Sequence, residues 1–489
     1  MRSKTVLAID IGAESGRVMA VHFDGQQLAL EELHRFSNTA VSLNDTLHWD
    51  ILRLWGDIQV GIEKGIELRP ASLGVDTWGV DFGLLDKQGN LIGNPVHYRD
   101  KRTNNMMESA FAKVPRVEIF SQTGIQFMPI NSLYQLLSLV ESESPQLQIA
   151  ETFLTIPDLL NYWLTGAKVC EFSNATTTQL FNPTTNNWAK ELIVKLGIPN
   201  KIFPEIIPPG TNLGRYKGID VIAPACHDTG SAVAAIPAQK PDFAYISSGT
   251  WSLVGLEIDQ PILTPEALSA NVTNEGGVYD TFRLLKNVMG LWILQQCRAT
   301  WEAEGEAFTY AELVDMATRS EPFTAIINPN DPVFLSPGDH PQRIREFCHR
   351  TGQHIPETPG RIVRCILESL ALAYREVLEL TMSVSNQQVS KLHIVGGGAQ
   401  NDLLNQMTAN ATGLPVIAGP IEATVIGNAI VQLITLGEIT DLNQARQIVD
   451  NLTELKRYEP EENADSQSGN WEQAYEYFQS HYSMTDDIH

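Results

Sequence analysis

Asp228 stands in Cys226-His227-Asp228-Thr229-Gly230, after an apolar run and at the start of a small-residue segment that reads as a helix. A carboxylate at a helix start is stabilised as the anion. An anionic carboxylate can take the proton of an attacking hydroxyl, which phosphoryl transfer requires. The same position suits an N-cap aspartate, and these five residues alone do not separate the two roles.

Three small-residue turns could hold phosphate or nucleotide. The first, Asp10-Ile11-Gly12-Ala13-Glu14-Ser15-Gly16-Arg17, follows a short apolar strand. Gly12 and Gly16 allow close backbone approach, exposed N–H groups and Ser15 can donate to phosphate oxygens, and Arg17 adds positive charge. Asp10 is a candidate Mg²⁺ ligand acting through water, since that ion prefers oxygen and keeps several waters. The turn is neither a Walker A loop nor GxGxxG, and an ordinary hairpin would read the same way. The second turn is Ser247-Ser248-Gly249-Thr250. The third is Gly396-Gly397-Gly398, between the apolar Leu392–Val395 and a helix. Three glycines leave room for a flat adenosine ring, and the helix start after them favours anions. Together the three turns point to a nucleotide clamped between two halves.

Sugar-type chemistry is suggested by Asp76-Thr77-Trp78-Gly79-Val80-Asp81-Phe82 and by His97-Tyr98-Arg99-Asp100. Trp78 could offer an apolar face to a sugar ring or be a core residue. Asn287 could read hydroxyls or cap a helix, and Gln295 could face nucleotide or solvent.

Alternating strand-like and helix-like segments must position these groups, which argues for an α/β fold. Thr5–Ile11 reads as a strand with Arg17–Phe23 as its hairpin partner and Asp24-Gly25 as a turn. Ser72–Asp76 reads as a buried strand, and Leu84–Asn90 as a strand running into a turn. Ile362, Ile366, Leu370, Ala373 and Val377 give helical periodicity over Arg361–Thr381, behind Pro359 and Gly360. A second apolar strand at Phe243–Ile246, with Trp251–Val254 as its partner, echoes the first and suggests a duplication with its boundary near residue 240. An acidic stretch from Glu459 leads to a last helix containing Trp471, Tyr475 and Phe478.

The chain has 489 residues, enough for two or three domains. With 34 basic and 58 acidic residues its net charge is −24, which disfavours nucleic acid and anionic membrane surfaces as partners. No apolar run is long enough to span a bilayer, and Asp10 interrupts the first apolar segment, so a cytoplasmic enzyme is expected. The five cysteines form no CxxC pair, so no zinc site is expected. Cys348 and Cys365 could be neighbours, with two buried thiols expected.

These stretches resemble the FGGY carbohydrate kinases of the actin/Hsp70/hexokinase-like superfamily. The resemblance runs from Asp10 to about Leu436. It is carried by residues 10–19, 75–82, 98–100, 174–180, 227–229, 247–253, 274–277, 285–292, 326–331 and 393–401. The run Asp76–Phe82 points to the deoxy-ketose branch more than to glycerol or xylulose kinases. The resemblance implies two actin-like (ribonuclease H-like) ATPase domains with a cleft between them that closes on substrate. The implied divisions are 1–238 on the sugar side, 239–440 on the nucleotide side, and a helical tail 441–489. Phosphorylation of L-rhamnulose at O1 by ATP with Mg²⁺ is implied, in a monomer or homodimer. Asp228 becomes the base. Sugar contacts fall on Gly79, His227, Asp228, Thr229 and Asn287. ATP contacts fall on Ala13, Glu14, Ser15, Gly16, Arg17, Thr250, Gln295 and Gly397. Glu14 departs from the short polar residue common there, and it is retained as a backbone contact. The rivals are a kinase of L-fuculose, xylulose or ribulose, and a non-sugar actin-fold ATPase, which would not need Trp78, Asp81 and Asn287, nor a base at Asp228.

Overall fold

Val6–Ile9 are apolar and fully buried, so the first strand cannot lie at a surface. In the computed structural model this strand, β1 (Lys4–Ile11), pairs antiparallel with β2 (Ser15–Phe23) and parallel with β4 (Ser72–Thr77). β3 (Leu28–Ser37) continues the hairpin past the Asp24-Gly25 turn, where the Asp24 carboxylate accepts the N–H groups of Gln26 and Gln27. β5 (Asn212–Tyr216) and β6 (Ile219–Ile222) complete a six-stranded sheet in the order β5-β6-β4-β1-β2-β3. Unbroken apolar runs in β1 and β4 are the mark of strands covered on both faces.

The structure describes residues 3–238, 242–452, 455–461 and 471–482. They fall into two compact units. Unit 1 comprises Met1–Gln239, Glu257–Leu284 and Glu422–Thr453; unit 2 comprises Lys240–Leu256, Leu285–Ile421 and Glu454–His489. The return of Glu422–Thr453 to unit 1 matters for the site. It brings helix Ala423–Thr435 against helix Asp228–Ala234, where the Gly427 α-carbon faces the Ser231 carbonyl so closely that a Cβ would lie 1.7 Å from that oxygen.

Unit 2 repeats the opening pattern. β7 (Phe243–Ser248) pairs antiparallel with β8 (Trp251–Ile258) and parallel with β10 (Lys391–Val395), β9 being Phe282–Met289. β11 (Val416–Ala418) and β12 (Lys456–Tyr458) follow β10. The expected long helix runs Pro359–Ser385, taking Pro359 and Gly360 into its first turn behind the Thr358 cap and ending at Asn386 in the left-handed region. The last helix, Trp471–Tyr482, packs Trp471 against Phe323 and lays Tyr475 beneath Arg375. Glu459, Pro460 and Glu461 of the acidic stretch are described; its continuation through Glu462, Asn463, Ala464 and Asp465 lies outside the described residues. All five cysteines are buried free thiols.

Candidate active site

Asp228 is placed by strand β4. Beyond β6 the chain keeps alongside β4, so the Thr77 N–H donates to the Cys226 carbonyl at 2.9 Å and Thr77 bridges His227 in parallel. The helix then begins with His227 as its cap and Asp228 as its first helical residue. Asp228 is therefore not the N-cap that the sequence left open. Its Oδ1 accepts the Thr229 N–H at 2.6 Å and the Thr229 hydroxyl at 3.2 Å. Among the described residues no protein hydrogen bond reaches Oδ2, and the side chain is 27% exposed. Burial raises the Asp228 pKa above its ordinary value, His227 opposes the rise, and Asp10 adds to it. The result is an open carboxylate oxygen with increased affinity for a proton.

Sequence reasoning missed the residue that holds this segment in place. Glu171 caps helix Phe172–Thr177, accepting from Ser173 N at 3.0 Å and Ser173 Oγ at 2.5 Å, and also accepts from Cys226 N at 2.9 Å. Ser173 Oγ in turn accepts the His227 N–H at 3.0 Å. Glu171 is fully buried beside Asp158, whose Oδ1 accepts the Glu171 N–H. Burial is the main cause that pushes Glu171 up to about 7 and Asp158 up to about 8. Unfolded carboxylates titrate near 4. From about pH 4 upward to those values the folded chain therefore keeps protons that the unfolded chain has lost, and stability falls as pH rises. The melting temperature is expected to drop from about pH 5 to about pH 8. Asp158→Asn should flatten that slope, by at most about 1.4 kcal/mol per pH unit for the proton removed. Thermal melts across this range check it.

Asp10, next to last in β1, lies opposite Arg17 and beside Asp76. Arg17 does not present a free charge. It holds Asp10 at 2.9 Å and Glu422 at 2.5 Å. Asp76 is fully buried, takes the Asn428 amide at 2.5 Å on Oδ2, and has no partner on Oδ1. Burial, Asp10 and Asp228 together hold its carboxyl well above the usual range. The Gly12–Ser15 turn is closed by Gly12 N–H to Ser15 O at 2.9 Å and strapped by Asn38, which donates to the Gly12 and Glu14 carbonyls. Ala13 is half-buried, while Glu14 and Ser15 are exposed. The Gly16 α-carbon abuts the Phe36 ring, so that glycine serves packing.

Trp78 does not offer a face to a sugar. It is 5% exposed, packs tilted against Trp49 with ring centroids 4.2 Å apart, and donates through its ring N–H to Asp81. Asp81 also accepts from Trp49, Gln135 and Tyr98 N, and burial lifts it to about 6. This cluster forms because two indole N–H groups and one carboxylate satisfy one another away from water. Gly79 lies at its edge against Thr177, and Thr229 is buried behind Asp228.

In unit 2, Thr250 sits in the β7–β8 turn, and its carbonyl accepts the Trp292 N–H at the start of helix Trp292–Ala303. Gln295, one turn along that helix, buries an Oε1 without a protein partner. The glycine turn after β10 lies on Ser248. Gly396 has φ 84° with Ser248 O near its α-carbon, and Gly398 has no room for a Cβ beside the Ser248 side chain. Gly397 is exposed with open space above it. The turns carrying Thr250 and Gly397 thus share Ser248. Asn287 is half-buried on β9.

The N-terminal-domain model of the FGGY family of carbohydrate kinases matches residues 5–219, and its C-terminal-domain model matches residues 244–436. The chain belongs to the FGGY family of carbohydrate kinases. This FGGY kinase is 45% identical to a rhamnulokinase of Bacteroides thetaiotaomicron, with 97% of this chain and 98% of that one covered. It is 44% identical to a rhamnulokinase of Pectobacterium atrosepticum, with 96% of each covered. Its fold matches the crystal structure of gluconate kinase from Lactobacillus acidophilus with a TM-score of 0.77, at 17% identity and 98% and 97% coverage. Among the described residues no helix of the FGGY kinase is long and apolar enough to cross a membrane.

Proposed function

We propose that this FGGY kinase transfers the γ-phosphoryl group of ATP to the 1-hydroxyl of L-rhamnulose, giving L-rhamnulose 1-phosphate and ADP. The sugar is supported by the rhamnulokinases that match over nearly the whole chain. The observation that carries the chemistry is Asp228, with Oδ1 fixed by Thr229 and Oδ2 open. As O1 bonds to the γ-phosphorus and the bond to the ADP oxygen breaks, the hydroxyl proton passes to Oδ2. Gly79, His227, Thr229 and Asn287 are assigned to the sugar. Ala13, Glu14, Ser15, Gly16, Arg17, Thr250, Gln295 and Gly397 are assigned to ATP. We place the enzyme in the cytoplasm as a monomer or homodimer, and keep the sequence division at 1–238, 239–440 and 441–489.

The neighbouring carboxylates of Asp10 and Asp76, with the unpartnered Asp76 Oδ1, fit a hard divalent cation that keeps its waters. Among the described residues no three side chains are grouped to ligate a metal directly, so Asp10 would hold Mg²⁺ through water. Bound there, the ion neutralises phosphate charge.

Two experiments test this reading. Incubation with ATP and L-rhamnulose, followed by ³¹P and ¹³C NMR, should show phosphate on O1; phosphate at another carbon, or free phosphate alone, overturns it. On the nucleotide side, Gly398→Ala drives a Cβ to 1.9 Å from Ser248 Oγ. Relief of that clash must move the turn that carries Gly397, and ADP affinity is expected to fall about tenfold, equivalent to about 1.4 kcal/mol of binding. Calorimetric titration with ADP reads it.

A further inference from the structure

Behind His227 lies a buried ion pair between Arg283 and Glu275. Arg283 is fully buried; Glu275 is 4% exposed. The Arg283 Nε donates to the Gly276 carbonyl at 2.9 Å. Its Nη2 lies 3.2 Å from Glu275 Oε2 and 3.1 Å from His227 Nδ1. That nitrogen carries two hydrogens, one for each acceptor. A guanidinium has no lone pair to accept with and does not deprotonate in proteins. An imidazole nitrogen 3.1 Å from it must therefore face it with a lone pair. The competing arrangement, Nδ1–H donating to Glu275 Oε2 at 3.2 Å, would set two donors against each other at 3.1 Å.

We infer that Arg283 is a positioning residue that fixes His227 as its Nε2–H tautomer, with the proton on the ring nitrogen nearest Asp228. The inference rests on the reading of Asp228 as the base. His227 Nε2 lies 3.5 Å from Asp228 Oδ1, an electrostatic contact and not a formed hydrogen bond. A hydrogen there favours the anionic carboxylate; a lone pair there would oppose it. The charged groups around this pair are Glu275 and Arg283 on the Nδ1 side, and Asp10 and Asp76 towards Asp228. A tautomer set by the partner of the other ring nitrogen is a recurrent device in histidine sites.

The test is a multiple-bond ¹H–¹⁵N correlation on ¹⁵N-histidine-labelled full-length enzyme near pH 7, with His227 assigned by its loss in His227→Gln. A proton on Nε2 and none on Nδ1 is expected. A proton on Nδ1 in the wild type overturns the inference, whether or not any variant folds. In Arg283→Met the proton is expected to move to Nδ1, facing Glu275, with kcat falling about 10- to 100-fold; Arg283→Lys, which keeps a donor, should retain the Nε2 proton and recover part of that loss. An unchanged tautomer in folded Arg283→Met also overturns it. If Asp228→Asn turned over normally, only the base reading would fall, and the Nε2 proton would still bear the tautomer out.

Discussion

Asp228→Asn is expected to lower kcat for sugar phosphorylation by about 10³-fold or more, with nucleotide affinity unchanged. Asparagine keeps an oxygen for the Thr229 N–H and hydroxyl, so the start of the helix should survive. What it cannot do is take a proton on the atom that stands where Oδ2 is. Burial raises the Asp228 pKa, so the charged form is held at a cost in the folded protein. The neutral variant is therefore expected to melt no lower than the wild type. Loss of activity in a protein of undiminished stability separates a chemical role from a structural one. Turnover within tenfold of wild type would remove Asp228 as the base.

Gly427→Ala carries the largest structural effect. In an ordinary helix interior this change stabilises by about 1 kcal/mol. Here the new Cβ would lie 1.7 Å from the Ser231 carbonyl oxygen and 2.5 Å from its carbon, both backbone atoms that cannot rotate away. Helix Ala423–Thr435 or helix Asp228–Ala234 must shift. The sign is expected to invert, with destabilisation of ~1–3 kcal/mol. Helix Asp228–Ala234 carries Asp228 and is one side of this contact, so kcat should fall together with the melting temperature. Thermal unfolding and steady-state kinetics on the same preparation check both. A variant as stable and as active as wild type would mean that the two helices do not pack as described.

Much of the frame was legible. The apolar runs at Thr5–Ile11 and Arg17–Phe23 gave the hairpin, the spacing of Ile362 to Val377 gave the long helix, and the recurrence at Phe243 gave the second start. These are local signals, set by period and turn chemistry. The family resemblance supplied roles that local chemistry left open. What stayed hidden was held by register over long separations. Glu171 meets Cys226 across 55 residues, and Asn428 meets Asp76 across 352. Arg283 meets His227 across 56. Nothing in the sequence pairs Glu171, Asn428 or Arg283 with these partners, which only the fold brings together. Arg17 illustrates the same limit: its type promised positive charge, and the fold supplies two carboxylates to it. Of the two roles open to Trp78, the fold takes the core one: Trp49 and Asp81 close over it, since both indole N–H groups find the same buried acceptor.

The central claim is that this enzyme phosphorylates L-rhamnulose. A coupled ADP-release assay on the wild type, run without sugar and with L-rhamnulose, L-fuculose, xylulose and ribulose, tests it most directly. The expected result is slow ADP release without sugar and a kcat/KM for L-rhamnulose well above that for the other three. A clear preference for one of those ketoses, or ADP release that ignores every sugar, would contradict it.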